Sequence, residues 1–512
     1  MSEKRTIAKI GLIGVINQVI FAILGFVSRK LFVMYIGVDL LGLSSTYTSI
    51  LSALALADLG FDIAVTYVLY KPLHENDEYR INAIMRALKA IYNIIGIFFV
   101  VLSFAALPLL KYIINGMEFK PVYYLYFIVQ AFSSAATYFF AYRRTLLYAD
   151  RKEYVTKTVD TVGNIVFSLL KIAVLVFTKS YLLYVTCAVL QAFATNIYIY
   201  FKCYKIYPFL DSKIKTDKAI VRELMDNIKD IALGKISGYI YGCTDSLLIS
   251  TLINTVAVGY YSNYYTVTTI VKQFSINILS PVAPFIGNHL VEDKDPVHQE
   301  GIFRMYTYFR FIVACVLLIP TIVCIDTFVG GVWLGEEFIM QPIIVILICS
   351  DLYISLVHSS LVDYANGAGL FKYEKYIDLA GAVVNLGMSI LLAKFIGLPG
   401  ILLGTVIAQL VYWILRSILV YDKCFESKKL FGRYWLRMLY YLVIFVACTC
   451  LSYFICSMIN FKWAVVTFVC QGALCELITI AVVMIAFIPS PEHKQAMGWL
   501  TGKLKTKFKR KG

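Results

Sequence analysis

Charged side chains are scarce in this sequence. Lys, Arg, Asp and Glu make up 15% of its 512 residues, 60% of the residues are hydrophobic, and the mean hydropathy is +0.75. A soluble core cannot bury that much apolar surface, so the composition predicts an integral membrane protein. The net charge of +15 does not indicate nucleic-acid binding, because the basic residues lie in connectors on alternate sides of the apolar runs.

Enzyme and metal-site motifs are also lacking. The sequence contains no P-loop, no HExxH and no GxSxG, and no segment has the size of a soluble nucleotide-binding domain. The twelve cysteines lack CxxC spacing and lie mostly in apolar runs, so we interpret them as small side chains in helix packing. We therefore expect no enzymatic activity, no cofactor and no metal.

Long apolar runs are what the sequence does have. Runs of about 18 to 25 residues recur along the chain, each long enough to cross roughly 30 Å of hydrocarbon. They predict an all-α polytopic membrane protein with about fourteen transmembrane helices. The predicted spans are 10–36, 43–70, 91–114, 122–148, 157–178, 181–206, 231–253, 256–287, 305–329, 340–365, 375–396, 399–421, 438–459 and 463–488.

The distribution of basic residues predicts the orientation of these spans. The connectors that would lie outside contain only Lys111, Lys120, Lys179, Lys394 and Lys462, whereas most other Lys and Arg residues lie in the alternate connectors and the termini. By the positive-inside rule, both termini are predicted to be cytoplasmic. The first apolar run exceeds a signal-peptide core, so we expect an uncleaved first span.

An internal repeat divides the spans into two sets of six. At an offset of 217 residues Gly42 corresponds to Gly259, and at 218 Asp160 corresponds to Asp378, among other matches. We therefore expect two pseudo-symmetric six-helix lobes with a transport path between them. The predicted domains are an N-terminal lobe at 1–206, a cytoplasmic linker at 207–230, a C-terminal lobe at 231–421, accessory helices 13 and 14 at 422–488, and a basic cytoplasmic tail at 489–512.

One face of the first span is polar. Gln18, Ala22, Gly25 and Arg29 follow helical spacing and stack in a narrow stripe. At an offset of 217 this stripe maps onto the seventh span, where Lys235 corresponds to Gln18. Lipid would not tolerate such stripes, so we expect both to face a shared cavity.

Four intramembrane cations are candidate contacts for an anionic cargo: Arg29, Lys30, Lys235 and Lys272. Arg29 and Lys30 would lie roughly 10 Å below the outer surface, and Lys272 near the midplane. The alternative for Arg29, Lys30 and Lys235 is snorkelling to the nearest interface, and Lys30 is the better candidate for it, being rotated about 100° from Arg29. The alternative for Lys272 is an ion pair with Asp58.

Acidic residues inside spans suggest other roles. Asp58 and Asp62 are four residues apart and share a face, so either could titrate during ion or proton coupling or neutralise a basic neighbour. Asp160 and Asp378 are explained as negative charges near helix N-termini. Asp245, Asp351 and Asp363 are further polar residues inside spans. His358 is another, and we interpret it as a packed or hydrogen-bonded histidine.

Four short motifs carry a family resemblance: "YIGVDLLGL" (Tyr35–Leu43), "ADLGFDIAV" (Ala57–Val65), "LYKPLHEND" (Leu69–Asp77) and "PFIGNHL" (Pro284–Leu290). The chain resembles the oligosaccharide flippase (Wzx-type) branch of the multidrug/oligosaccharidyl-lipid/polysaccharide (MOP) exporter superfamily. The resemblance implies two lobes that rock between inward-open and outward-open states, and cationic cavity residues that hold a pyrophosphate. Fourteen spans, rather than the twelve of many members, are typical of the lipid II flippase branch.

These observations predict a flippase in the bacterial cytoplasmic membrane. The resemblance implies that it moves undecaprenyl-pyrophosphate-linked oligosaccharides to the outer leaflet for surface polysaccharide, with membrane lipid, a glycan polymerase and chain-length proteins as candidate partners. The rivals are a cation-coupled multidrug exporter of the same fold, a lipid II flippase, a glycan polymerase or ligase, and a scaffold without transport. Short outer connectors disfavour the polymerase, and Lys235 and Lys272 argue against the drug exporter.

Overall fold

A computed structural model describes residues 2–55, 61–211, 220, 242–279, 295–425 and 427–495. These residues are almost entirely helical and include no β-strand, which confirms the all-α class. The helices are α1 (Ser2–Ile36), α2 (Val38–Leu54), α3 (Phe61–Glu75), α4 (Glu78–Ala106), α5 (Leu110–Ile113), α6 (Val122–Ala149), α7 (Glu153–Thr178), α8 (Tyr181–Ile206), α9 (Gly242–Ile253), α10 (Thr255–Leu279), α11 (Pro296–Asp326), α12 (Pro342–Gly367), α13 (Phe371–Ile396), α14 (Leu398–Lys423), α15 (Lys428–Ser457) and α16 (Ala464–Phe487).

Ten helical segments in the described part of the chain are long and apolar enough to cross a membrane. Each of the fourteen predicted spans overlaps at least one helix, so the polytopic architecture is confirmed with an approximate count. Several helices begin before the predicted span. Asp77 caps α4 through the Arg80 amide at 2.9 Å, well before the apolar run, because a helix can extend into water beyond the hydrocarbon.

Helix boundaries repeat between the two halves. α2 and α10 begin 217 residues apart, and α4 and α11 begin 218 apart. The helices that correspond to the fifth predicted span of each half, α7 and α13, both start and end 218 residues apart. Those that correspond to the sixth, α8 and α14, differ by 217 at both ends. The shared helix boundaries support the internal six-helix repeat expected from the sequence.

By residue contacts the chain forms two compact units. The first unit comprises the described parts of Leu12–Tyr264 and Phe371–Ala408, and the second those of Met1–Gly11, Tyr265–Leu370 and Gln409–Gly512. These boundaries differ from those of the predicted lobes, which stay a prediction.

Each unit has a core and an apolar exterior. In the first, Tyr47 is fully buried and its hydroxyl donates to the Tyr123 carbonyl at 2.8 Å. In the second, Phe311 stacks on Tyr441 with ring centroids 4.4 Å apart. Many large apolar side chains remain exposed, such as Phe177 at 85%. Such surface would be a liability in water but is expected against lipid.

Candidate functional site

The candidate residues from the sequence differ in burial, and the structure does not describe all of them. Gln18 and Arg29 are half-buried on α1, whereas Lys30 and Lys272 are exposed. Lys235 and Asp58 lie outside the described residues. The backbone of Asp62 lies in α3, but its side chain is outside the described part of the chain.

Arg29 joins α1 to α10 within the first unit. Its Nε donates to Oδ1 of Asn263 at 2.7 Å, and its Nη2 donates to Oγ of Ser262 at 2.5 Å. Three residues further along α1, Phe32 packs against Tyr184 of α8 with ring centroids 5.0 Å apart. A guanidinium carries five N–H donors, so these two bonds leave further donors for a ligand. Every hydrogen-bond partner that the structure describes for Arg29 is neutral.

The two adjacent cations of α1 differ in exposure. Arg29 reaches Ser262 and Asn263, while Lys30, one residue on, is exposed. A step of about 100° around the helix separates them. That Lys30 reaches the outer interface stays a prediction.

Lys171 of α7 is a further intramembrane cation in the first unit. It is half-buried, and its Nζ donates to Oε1 of Gln191 on α8 at 3.1 Å. Nε2 of Gln191 donates in turn to Oδ1 of Asn164 on α7 at 2.6 Å. Because Asn164 holds the amide nitrogen, the carbonyl oxygen of Gln191 faces the ammonium.

Asp160 corrects one interpretation of the sequence. It is the eighth residue of α7, two turns inside the helix, where the effect of the helix dipole has faded. Its two carboxylate oxygens accept from Nη1 and Nη2 of Arg144 at 2.7 and 2.9 Å, and Nε of Arg144 donates to Asn196 at 2.9 Å. Asp160 therefore neutralises Arg144. Asp378 is also the eighth residue of its helix, α13, so the N-terminal explanation fails there too.

A buried histidine–arginine pair lies in the second unit at His358 of α12, which is 5% exposed. Its Nδ1 lies 2.9 Å from the Ile354 carbonyl, which can only accept, so Nδ1 carries the proton. Its Nε2 therefore accepts from Nη1 of Arg416 on α14 at 3.0 Å. His358 is thus a hydrogen-bonded core residue, as interpreted, and it orients Arg416.

Arg310 of α11 is neutralised by a carboxylate of α12. Its Nη2 pairs with Oδ2 of Asp363, and the Tyr306 hydroxyl donates to the same oxygen at 2.5 Å. Nη1 of Arg310 also donates to the Leu356 carbonyl at 3.4 Å, and the guanidinium lies 5.0 Å from the Tyr306 ring centroid. Arg310 and Asp363 therefore form a structural ion pair between α11 and α12.

Asp245 of α9 accepts hydrogen bonds from hydroxyl groups of α10 and α14 in the first unit. Its Oδ1 accepts from the Thr405 hydroxyl of α14 at 2.7 Å, and Thr405 accepts from Nδ2 of Asn385 on α13 at 3.0 Å. Oδ1 of Asn385 is buried without a hydrogen-bond partner among the described residues. The Ser389 hydroxyl lies beside them, donating to the Ile401 carbonyl at 2.9 Å. Carboxylate, amide, hydroxyl and carbonyl oxygens are the ligands of hard cations.

Sequence reasoning missed Lys171 and Arg416 as site candidates. Both lie inside apolar runs, and a cation in such a position could have been recognised as a site candidate from the sequence. Their partners are distant in sequence, so the hydrogen bonds could not be read from it. Within the described residues no group of three or more His, Cys, Asp or Glu could hold a metal ion, and the twelve cysteines are free thiols.

The fold is that of a known class of membrane transporters. The structure is similar to "Lipid II flippase MurJ, inward closed conformation", with a TM-score of 0.67 and 12% identity over 93% of this chain and 100% of that one. It is also similar to an inward-facing multidrug resistance MATE family transporter of the MOP superfamily, with a TM-score of 0.61 and 12% identity over 80% and 96% of the two chains. A third similar structure, the Vibrio cholerae MATE transporter VcmN, has a TM-score of 0.53 and 15% identity, with 83% and 100% covered.

The sequence matches a family model described as "Polysaccharide biosynthesis protein" over residues 8–288. The chain therefore belongs to the polysaccharide biosynthesis protein family and has the fold of the MOP superfamily, which confirms the resemblance seen in the motifs. No curated protein matches the sequence. Family and fold together point to a multi-pass membrane transporter or flippase rather than an enzyme.

Proposed function

We propose that this protein flips an undecaprenyl-pyrophosphate-linked oligosaccharide repeat unit from the cytoplasmic to the outer leaflet by alternating access. Membership of a polysaccharide biosynthesis family supports a glycan cargo, and the transporter fold supports translocation rather than synthesis. The setting is the bacterial cytoplasmic membrane, with both termini in the cytoplasm, as the basic connectors predict. A glycan polymerase and chain-length proteins are the partners this role implies.

The observation that carries the proposal is the environment of Arg29. A cation inside the membrane costs roughly 3 kcal/mol or more unless something offsets it, and the described partners of Arg29, Ser262 and Asn263, are neutral. A phosphate would accept charge-assisted hydrogen bonds from the remaining guanidinium donors. We therefore propose Arg29 as the principal contact for the cargo phosphate.

Other candidates take secondary roles in the proposal. Lys272, Lys235 and Gln18 are proposed as further cargo contacts, and Lys30 as the weakest one. Asp58 and Asp62 stay candidates for ion coupling.

A lipid II flippase is the second candidate function. The similar lipid II flippase structure is covered over its whole length, and the fourteen predicted spans suit that branch. Both candidates carry a lipid pyrophosphate, so they differ in the attached glycan. A cation-coupled multidrug exporter would instead need no intramembrane cation for its cargo.

The test is complementation of a strain from which the gene has been deleted. Arg29→Ala removes charge-assisted hydrogen bonds worth about 1.5–3 kcal/mol each, so we expect at least a ten-fold loss of surface polysaccharide. Lipid-linked repeat units should accumulate on the cytoplasmic leaflet. Lys272→Ala should lose less, because its side chain is exposed, and Lys30→Ala least, because Lys30 is also close enough to the outer interface to snorkel to it.

The control is Lys157→Ala, which removes an exposed cation paired with Glu153 at 3.0 Å. Membrane levels of every variant are measured by immunoblot. Normal surface polysaccharide in a well-expressed Arg29→Ala strain would refute the role of Arg29. Loss of cell-wall precursor export instead of surface polysaccharide in the deleted strain would favour the lipid II flippase, and drug sensitivity alone would favour the exporter.

A further inference from the structure

We infer that Lys171 and Arg29 form a two-cation site for a pyrophosphate, with Lys171 contacting one phosphate and Arg29 the other. The inference rests on the proposed function, because it names a further cargo contact.

The Lys171 side chain points into the membrane rather than toward its surface. Lys171 lies seven residues before the end of α7, about 10 Å below the predicted outer end. Side chains on a helix lean toward its N-terminus, which for α7 is the predicted inner end. Its partner Gln191 is ten residues into α8, about 15 Å below the same end. The ammonium therefore does not snorkel to the nearer interface.

The hydrogen bonds of Lys171 leave capacity for an anion. An ammonium has three donors, and Gln191 accepts from one of them. No other hydrogen bond or ion pair joins Lys171 to a described residue. Asn164 holds Gln191 in the orientation that faces Lys171. Gln191 is thus a positioning residue, which presents the ammonium without neutralising it.

α8 brings Lys171 and Arg29 to the same region of the first unit. Phe32, three residues after Arg29 on α1, packs against Tyr184 of α8 with ring centroids 5.0 Å apart. Lys171 donates to Gln191, which lies seven residues after Tyr184 on the same face of α8. Arg29 donates to Asn263, eight residues into α10, about 12 Å below the predicted outer end. Both cationic groups therefore lie at similar depth beside one face of α8.

A pyrophosphate fits two such cations better than a monophosphate does. It carries two linked phosphate groups, so each can accept charge-assisted hydrogen bonds from a separate cation. Arg offers a planar fork to one phosphate, and Lys offers a compact charge to the other. We therefore expect the site to prefer a lipid pyrophosphate to the lipid monophosphate, with Lys171 responsible for much of the preference.

The experiment measures binding of three lipids to the purified full-length protein in nanodiscs: undecaprenyl pyrophosphate, undecaprenyl phosphate and undecaprenol. We expect Lys171→Met to weaken pyrophosphate binding about ten-fold and monophosphate binding much less, because one charge-assisted contact is lost. Lys171→Arg should retain most of the pyrophosphate preference. Gln191→Leu should cause an intermediate loss, since the ammonium remains but is no longer oriented.

The matched control is Lys157→Met, on the same helix but exposed and paired with Glu153. It should bind all three lipids like the natural protein. If Arg29→Ala weakens pyrophosphate binding but Lys171→Met behaves like Lys157→Met, the two-cation site is wrong and the proposed function stands. If the natural protein binds undecaprenol as tightly as undecaprenyl pyrophosphate, the proposed function itself fails. An equal loss for all three lipids in Lys171→Met would show a structural role only and would also overturn the inference.

Discussion

Gly42 of α2 and Gly259 of α10 pack backbone to backbone, and a single methyl group should force them apart. A Cβ added at Gly42 would lie 2.0 Å from the Thr255 carbonyl oxygen and 2.9 Å from the Gly259 nitrogen. A Cβ at Gly259 would lie 2.5 Å from the Val38 carbonyl oxygen. These neighbours are backbone atoms, which cannot rotate away, so Gly42→Ala requires a helix shift of about 1 Å or more.

The expected cost follows from this geometry. Overpacking a tight contact costs about 1–3 kcal/mol, and Gly42→Ala should reach that range despite a gain of about 1 kcal/mol in helix propensity. The matched control is Gly472→Ala in α16, where a Cβ meets nothing within 4 Å. It should be neutral or stabilising by up to about 1 kcal/mol. Thermal unfolding of the purified variants in detergent measures the difference.

The double variant gives a sharper test. Once Gly42→Ala has separated α2 from α10, the second methyl group of Gly259→Ala enters space already opened. The two substitutions together should therefore cost less than the sum of their separate effects, by about 0.5–3 kcal/mol. Gly42→Ala and Gly472→Ala should add, because they share no contact. If Gly42→Ala is as stable as Gly472→Ala, the backbone contact does not exist as described.

Two further predictions concern carboxylates. If the oxygens around Asp245 hold Na⁺, sodium should stabilise the natural protein relative to potassium by about 1.4 kcal/mol at ten-fold excess over Kd, and so raise its unfolding temperature. Asp245→Asn should abolish this shift. A sodium effect that survives the substitution would exclude the site. At the end of α6, burial raises the pKa of the Asp150 carboxyl, but hydrogen bonds from Lys152 and Tyr207 outweigh it and hold the pKa below its usual value. The stability that this ionised carboxyl contributes, at most about 1 kcal/mol, is present above the pKa that Asp150 has in the unfolded chain and is lost as the pH falls below about 4. The natural and Asp150→Asn proteins should therefore differ in unfolding temperature at pH 7 and converge in acid.

The sequence predicted the helices well because their signals are local. Apolar runs bounded by charged connectors mark each span, and the predicted sixth span, 181–206, coincides with α8. Helix ends beyond the hydrocarbon were harder to predict. α7 begins four residues before its predicted start at 157, which is why Asp160 was taken for an N-terminal charge. Its true role depends on Arg144, whose alignment with Asp160 comes from helix packing.

The sequence pointed to candidate residues of the site where they lie on one helix with regular spacing. The stripe that includes Arg29 has helical spacing on α1, so it was visible in the sequence. Lys171 was not, because a single lysine in an apolar run is also what snorkelling produces. Its bond to Gln191, which lies on the next helix, gives the direction of the side chain, and no sequence pattern specifies it.

The intramembrane cations of the first unit differ in what neutralises them. The carboxylate of Asp160 neutralises Arg144, so the two residues form a structural ion pair between α6 and α7. Arg29 and Lys171 are held by neutral amide or hydroxyl oxygens in the described structure, which orient a cation but leave its charge uncompensated. A carrier must release its cargo, so a binding cation needs orientation without a permanent acid partner, which would compete with a phosphate. Replacing Gln191 by Glu should therefore neutralise Lys171 and weaken pyrophosphate binding at least as much as Lys171→Met does, although the protein would fold as well or better.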